Sequence, residues 1–199
     1  MSTSERGEPR TVLLERATAY LTERGLSDIS LRELAAALGT SHRMLIYHFG
    51  SKEKLFVEVV RETERRQRQV FQNMLETAHG TPTEVARQFW QRLSSPELAP
   101  LERIFFEIYT QALQGRSYAL PVLDGVVESW IQAALPALKE QGLSDVEARA
   151  EARLGIAVTR GLLLDLLATG DHEGVNQAHE RYLTARPHPS DLRLGAHAG

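Results

Sequence analysis

The sequence predicts an all-α fold, and three observations support this prediction. Apolar residues recur at the three- and four-residue spacing of amphipathic helices along nearly all of the 199 residues. Segments that alternate apolar and polar residues between turn signals, as half-buried strands do, are missing from the sequence. Helix-start signals recur, each with Ser or Thr followed three residues later by Glu. We therefore expect roughly nine or ten helices, without an internal repeat or a long linker.

Three helices are predicted in the N-terminal quarter of the chain. The first follows Pro9, which suits a first-turn position, and Gly25 can end it in a left-handed conformation. A short second helix begins after Ser30, because Ser30 and Glu33 form a capping box. Gly39 breaks this helix, and a third short helix is expected to begin one or two residues later.

The remaining helices are predicted from similar signals. In chain order they are a long helix over 52–77, one after the capping box at Thr81, one helix or a pair of helices from Ser95-Pro96 to residue 114, one that follows Pro121 and ends at about residue 140, one from Ser144 to Gly170, and one over 171–185. Pro136 is expected to kink or break the helix that contains it, because proline lacks the backbone N–H that the helix needs.

Composition excludes several classes of protein. No apolar run approaches the roughly 18 residues of a membrane-spanning helix. The polar N-terminus lacks the apolar core of a signal peptide, so a cytoplasmic location is expected. Without Cys there can be no disulfide, thiolate nucleophile or Cys-ligated zinc. The net charge is −3, and basic residues outnumber acidic ones only in the N-terminal third.

The segment around Gly39 has the pattern of a helix-turn-helix motif. Such a motif needs a small residue where its two helices cross closely, and Ala35 supplies it. It needs a residue in the turn that tolerates positive φ, which Gly39 does. Leu34, Leu38 and Leu45 have the spacing to hold the two helices together. The alternative is a solvated helical hairpin with ordinary surface charge, which any one of these features alone would favour.

If those residues turn inward, polar and basic side chains remain on the outer face. This outer face comprises Ser41, His42, Arg43, Met44 and Tyr47. A helix fits the major groove of DNA, where arginine can bind guanine N7 and O6 together. Hydroxyl and imidazole groups suited to phosphate oxygens lie at Thr40, Ser41, Tyr47 and His48. Lys52 stands at the start of the next helix, where free amides favour an anion.

Residues 11–60, "TVLLERATAYLTERGLSDISLRELAAALGTSHRMLIYHFGSKEKLFVEVV", resemble the DNA-binding head of the tetracycline-repressor (TetR) family of transcriptional regulators. The resemblance depends on Ala17, Gly25, Ile29-Ser30, Leu34-Ala35, Gly39, Tyr47-His48-Phe49, Ser51-Lys52-Glu53 and Leu55. Two positions depart from the family pattern. Ile46 stands where the family often has Tyr, and Arg43 stands where a small residue is usual. We interpret Arg43 as a specificity residue.

The resemblance implies a homodimer that binds a palindromic operator in double-stranded DNA, usually as a repressor released by a small-molecule effector. An effector-dependent activator is the alternative. It implies phosphate contacts from Ser30, Tyr47, His48 and Lys52. It implies base reading by residues among Thr40, Ser41, His42, Arg43 and Met44. No cofactor is implied. The corresponding division is a DNA-binding domain over 1–55, a ligand-binding and dimerisation domain over 56–186, and a disordered tail over 187–199.

Two further sets of residues are candidates for the C-terminal domain. The apolar stripe predicted for the dimer interface comprises Leu154, Ala157, Val158, Gly161, Leu162 and Leu166. The aromatic residues that could line an effector pocket are Phe89, Trp90, Phe105, Phe106, Tyr109, Tyr118 and Trp130. For each aromatic residue, an ordinary core position is an equally good interpretation.

An enzyme and a helical scaffold are the competing classes. The sequence has no Ser nucleophile elbow, no Gly-rich phosphate loop and no HExxH, so neither catalytic nor metal-binding residues are expected. A membrane-surface scaffold would need a basic amphipathic stretch. The nearest segment, "RETERRQRQ", contains acids and no neighbouring Trp or Leu, so we interpret it as a solvated helix face.

Overall fold

The computed structural model describes residues 9–24, 29–77 and 80–185. These ranges contain α-helices, one short 3-10 helix at Leu120–Val122 and no strand, so the all-α prediction is confirmed. In chain order the helices are α1 (Arg10–Arg24), α2 (Leu31–Ala37), α3 (His42–Phe49), α4 (Lys52–Thr77), α5 (Pro82–Leu93), α6 (Ala99–Leu113), α7 (Glu128–Glu140), α8 (Asp145–Thr169) and α9 (His172–Thr184).

Local capping interactions set several of these boundaries. Ser30, Thr81 and Ser144 each accept a hydrogen bond from the N–H three residues on, and the Glu there accepts one from the N–H of the cap. The third helix begins at His42 because Ser41 is its N-cap. The predicted end of α1 at Gly25 and the predicted tail over 187–199 lie outside the described residues.

Two helix starts that were predicted from proline were wrong. The helix expected from Ser95-Pro96 begins at Ala99, and the helix expected from Pro121 begins at Glu128. Pro121 lies instead in the 3-10 helix. Proline suits a turn, a 3-10 helix and a first helical turn equally well, so it does not choose among them. The predicted break at Pro136 is not found, because Pro136 lies inside α7 without ending it and contact with α8 stabilises α7; the kink stays a prediction.

The described residues form two compact units. The first contains the described residues up to Arg65 and those of Glu97–Asp124, and the second contains Arg66–Pro96 and the described residues from Gly125 onward. Helix α4 begins in the first unit and ends in the second.

The core of the first unit fixes the helix-turn-helix. Leu34, Leu38 and Leu45 are buried, as predicted, and Ala35 is 2% exposed. Helices α2 and α3 pack against each other, which requires a small side chain where they are closest. Arg16 of α1 donates a hydrogen bond to the carbonyl oxygen of Leu38 at 3.2 Å. This bond satisfies one of the carbonyl groups left without a partner at the end of α2.

Substitution of Gly39 tests the turn between α2 and α3. Its φ is +68°, and a Cβ atom built there would meet no atom within 4 Å, so the cost of a side chain is conformational and not steric. We expect Gly39→Ala to lower the free energy of unfolding of the head by about 1 kcal/mol. Gly39→Asn should cost less, because asparagine tolerates this conformation. Urea denaturation of both variants checks the order, and an equal loss would contradict it.

In the second unit, polar contacts attach α9 to α5. The guanidinium of Arg87 donates two hydrogen bonds of 2.8 Å to the carboxylate of Glu180. The indole N–H of Trp90 donates to Asn176 Oδ1 at 2.7 Å. His179 is buried and stacks on the Trp90 ring with centroids 4.7 Å apart. Besides these contacts, the unit has an apolar core between α7 and α8 that includes Ile131.

Stability of this second unit should fall in acid because of His179. Burial lowers the pKa of His179 from 6.5 to about 4, and nearby Arg87 also lowers it while Glu180 raises it. The folded chain then binds a proton less readily than the unfolded chain, so the stability is present above pH 6.5 and is lost as pH falls toward 4. We expect a loss on the order of 2 kcal/mol between these limits.

The matched variant for this prediction is His179→Phe, which keeps an aromatic ring against Trp90 and cannot be protonated. Denaturant unfolding at a series of pH values from 7 to 4 should show a smaller loss of stability for the variant. Carboxylates contribute to both proteins alike, so the difference between the two curves is the quantity of interest. Identical pH dependence would mean that His179 does not contribute.

Candidate nucleic-acid interface

Helix α3 presents a polar face to solvent. Tyr47 is 78% exposed, and His42 and Arg43 are exposed at the start of the helix. Leu45 and Phe49, on the opposite side, are buried. The guanidinium of Arg43 has no hydrogen bond or ion pair within the described ranges. The outer face of α3 therefore offers an unpaired cation and a phenol where a ligand can reach them.

The other predicted base-reading residues have different environments. Ser41 is exposed, and its Oγ accepts a hydrogen bond from Met44 N at 3.2 Å as the N-cap of α3. The Ser41 hydroxyl can still donate its proton elsewhere. Thr40 and Met44 are half-buried. Three of the five predicted residues, Ser41, His42 and Arg43, thus lie fully on the exposed side.

Ile46, which stands where the resemblance leads one to expect Tyr, lies on the exposed side of α3 with 39% of its surface accessible. At this position the chain therefore exposes an aliphatic group and not a phenol. Tyr47, the next residue, is the exposed phenol on this helix.

The residues predicted to contact phosphate also differ in their exposure and in their hydrogen bonds within the protein. Ser30 is exposed at the start of α2, and its Oγ accepts a hydrogen bond from Glu33 N at 3.2 Å. His48 is half-buried and meets the Tyr47 ring edge-on, with centroids 5.0 Å apart. Among the described residues, His48 Nε2 is buried and has no hydrogen-bond partner, so Nδ1 is the nitrogen that can donate to a phosphate. Lys52 donates to the carbonyl oxygen of Ile29 at 2.8 Å.

The aromatic residues predicted for an effector pocket are divided between the two units. Phe105, Phe106, Tyr109 and Tyr118 belong to the first unit, and Phe89, Trp90 and Trp130 belong to the second.

In the first unit, Phe105 and Tyr109 stack with centroids 5.4 Å apart. A cavity of about 10 Å³ lies between α4 and α6 beside Phe105, which is room for about one water molecule. Thr63 lines this cavity, and its buried Oγ1 has no hydrogen-bond partner in the part of the chain that the structure describes. Such an orphaned hydroxyl is a suitable partner for a water there.

In the second unit, three rings pack together. The centroid of Phe71 lies 4.9 Å from that of Phe89 and 6.1 Å from that of Trp130. The guanidinium carbon of Arg68 lies 5.9 Å from the Trp130 ring. Trp90 is engaged with α9 through Asn176, so its position is explained by packing within this unit. The sequence analysis did not include Phe71, which lies on the long helix α4, among the candidate pocket residues.

One side of α8 exposes apolar and small residues. Of the predicted stripe, Leu154, Ala157 and Gly161 are exposed, whereas Val158 and Leu162 are half-buried. Leu166 is only 8% exposed and packs within its own subunit. Leu164, which was not predicted, is 53% exposed. The exposed residues 154, 157, 161 and 164 are spaced by three, four and three, the spacing of a seam between packed helices.

Two absences are also found. Within 9–24, 29–77 and 80–185, no helix combines the length and apolarity that crossing a bilayer requires. The same ranges hold no group of three His, Asp or Glu residues that could bind a metal ion.

Sequence comparison finds relatives for the N-terminal region. Residues 13–59 match the family described as bacterial regulatory proteins, tetR family. The HTH-type transcriptional repressor AcnR of Corynebacterium efficiens is 39% identical over 57 residues, which are 29% of this chain and 30% of that protein. The match therefore spans less than a third of that relative.

Structure comparison extends the likeness to most of the chain. The reduced form of Escherichia coli NemR gives a TM-score of 0.70 at 16% identity, covering 90% of this chain and 98% of that one. A Saccharomonospora viridis protein crystallised with choline gives 0.69 at 20% identity, covering 89% and 96%. A Rhodococcus sp. RHA1 protein gives 0.71 at 23% identity, covering 92% and 98%. At these identities the likeness establishes the fold.

Proposed function

We propose that this chain is a regulator of the tetR family, whose family model matches residues 13–59, and that it is a homodimeric cytoplasmic repressor that binds a palindromic operator and is released by a small molecule. The match over residues 13–59 and the similarity to the repressor AcnR over 57 residues support a transcriptional regulator with a DNA-binding N-terminal domain rather than an enzyme. The proposal assigns DNA binding to residues 1–55, and effector binding and dimerisation to 56–186.

The exposed face of α3 is the observation on which the proposal depends. The N-terminal residues of a recognition helix contact base edges in the major groove, and in α3 these residues include His42 and Arg43. Tyr47, one turn further along, can donate its hydroxyl to a phosphate, and so can His48 through Nδ1. Ser30 can make a similar contact at the start of α2 while it remains a helix cap.

Dimerisation follows from the way such motifs read DNA. A palindromic operator requires two heads at a fixed separation, which a symmetric dimer provides. The exposed stripe of α8 is our candidate for the seam. Ala157 and Gly161 would allow close approach of a second helix at its centre, with Leu154 and Leu164 packing at the two ends.

Release by an effector requires two conformations that bind DNA differently. A small molecule can weaken operator binding only if it binds better to a dimer whose heads are wrongly spaced for the operator. Helix α4 continues from the first unit into the second, so it provides a covalent route between effector and head. The choline bound to the Saccharomonospora viridis protein supports a small-molecule effector as a class. The repressor name of AcnR supports the direction of regulation.

The central experiment is selection of bound duplexes from a random DNA pool by the full-length chain. We expect enrichment of inverted repeats whose half-sites are about 10 base pairs apart, or a multiple of this. Affinity for the enriched sequence should fall steeply with salt, because phosphate contacts release counterions. Failure to enrich any sequence would reject the proposal, and enrichment of a single asymmetric site would reject its dimeric part.

The direction of regulation needs a separate measurement. A reporter whose promoter overlaps the selected operator should lose expression when the chain is produced. Increased expression would show an activator instead. A compound library can then be screened for molecules that restore expression. By reciprocity, a genuine effector should bind less tightly to the operator-bound protein than to the free protein.

A further inference from the structure

We infer that Lys52 is a positioning residue: it fastens the start of α2 to the start of α4 and so holds the α2–α3 pair in the orientation that DNA binding needs. The family resemblance implies a phosphate contact from the same residue, and the two roles predict different results in the experiment below. It rests on the proposed function, because the orientation matters only if the head binds DNA.

The first argument is the hydrogen bond to Ile29. The ammonium of Lys52 donates to the carbonyl oxygen of Ile29 at 2.8 Å, across 23 positions of sequence. Ile29 is buried, and its carbonyl comes directly before Ser30, the N-cap of α2. A charged donor makes a stronger hydrogen bond than a neutral one. The bond therefore holds the residue from which α2 begins.

The second argument is a contact on another side of the same ammonium. Lys52 Nζ lies 5.6 Å from the centroid of the Phe56 ring, within the range of a cation–π interaction. Phe56 is buried, so the ring is a fixed partner. With Ile29 and Phe56 both engaged, the ammonium is held between α2 and α4 and does not extend freely into solvent.

The third argument is the charge around Lys52. A cation at the first residue of a helix is disfavoured by the helix dipole, so neighbouring acids are needed to offset it. Hydrogen bonds from the side chain and backbone of Ser30 lower the pKa of Glu33, and the charge of Lys52 lowers it further. The pKa of Glu53 is lowered by its own backbone N–H, by Ser51 and also by Lys52. Two carboxylates thus lie close enough to the ammonium for its charge to affect them.

Positioning and phosphate binding predict different salt dependence. A lost phosphate contact removes a counterion-release event and reduces the slope of log K against log salt by about 0.9 for each contact. In a dimer the reduction would be about twice that. A lost positioning bond leaves the contacts of the bound complex unchanged and adds only the cost of reorienting α2 and α3. Affinity then falls by the same factor at every salt concentration.

The test uses the full-length chain with Lys52→Met, which keeps an apolar stem and removes the charge and the donors. Lys54→Met is the matched control, because Lys54 is exposed and lies two residues away. Operator affinity is measured across a salt series at a temperature where both variants are folded. We expect Lys52→Met to bind about tenfold more weakly throughout with the wild-type slope, and Lys54→Met to stay within about twofold of wild type. A reduced slope or an unchanged affinity for Lys52→Met would overturn the assignment.

A second variant, Phe56→Leu, tests the same assignment if Lys52→Met does not fold. Phe56→Leu keeps an apolar side chain and every charge but removes the ring beside the ammonium. Positioning predicts a few-fold weaker operator binding with an unchanged slope, whereas a phosphate-binding Lys52 predicts wild-type affinity. Amide hydrogen exchange at Ser30 and Glu33 should be faster in either variant, and unchanged exchange would also reject the tie. A wild-type chain that binds no DNA would reject the proposed function. In that case amide hydrogen exchange at Ser30 and Glu33 would still test whether Lys52 holds the start of α2.

Discussion

Arg43→Ala should weaken operator binding by about 10- to 100-fold, or ~1–3 kcal/mol, while affinity for random DNA changes little. Arg43 lies in the first turn of α3, is exposed, and has no partner within the described part of the chain. Its guanidinium therefore costs nothing in broken internal bonds when it binds a base. A bidentate contact to guanine N7 and O6 is specific, so its loss should remove preference at one position of each half-site.

Selection from the same random pool, with wild type and variant in parallel, measures this preference directly. Arg32→Ala is the control, because Arg32 is equally exposed but lies on α2. Both substitutions remove one positive charge. The Arg32 variant should bind all sequences more weakly, if it has any effect, and should keep the wild-type preference. If Arg43→Ala enriches the same sequences as wild type, Arg43 is not a base-reading residue.

The helix-turn-helix could be predicted from the sequence because its determinants are local. The capping box of Ser30 and Glu33, the positive φ of Gly39 and the small side chain of Ala35 each follow from residue type within ten positions of sequence. The helix boundaries after α5 were predicted less well, because their determinants are not local. The prolines there fit several local conformations, and packing that involves distant residues decides among them.

The exposed side of α8 could not be derived in the same way. This helix is apolar around much of its circumference, so periodicity alone does not separate the side facing its own subunit from the other side. Leu164 and Leu166 illustrate the difficulty. They are two residues apart and chemically identical, but one is exposed and the other is buried. The folded positions of α7 and α9 decide which leucine remains accessible.

Lys52 shows a third limit. A lysine at the start of a helix beside a DNA-binding motif suggests a phosphate contact, which stays a prediction, but the sequence does not indicate its hydrogen bond to Ile29. The carbonyl group of Ile29 that receives its hydrogen bond is a backbone atom, which exists at every residue. Only the folded path of the chain brings that atom within 2.8 Å of the ammonium.

Breaking the seam on α8 should have the other large effect. Leu164→Glu places a charge at one end of the proposed interface, and burial of an unpaired charge opposes association. We expect a monomer at micromolar concentration and operator binding weakened by 10²- to 10⁴-fold, because the second head no longer binds as part of the same molecule. Leu113→Glu is the control: the same change at a residue of α6 that is 65% exposed should leave the dimer intact.

Gly161→Leu separates loss of the seam from loss of the fold. No atom lies within 4 Å of a Cβ built at Gly161, so the subunit has room for a side chain there. Leucine also favours the helical conformation over glycine by roughly 0.5–1 kcal/mol. The variant should therefore keep its helix content but prevent close approach of a second α8. Sedimentation of the full chain measures the result. A Gly161→Leu dimer that binds the operator normally would place the interface elsewhere, and a monomer that still binds palindromes tightly would remove the need for a dimer.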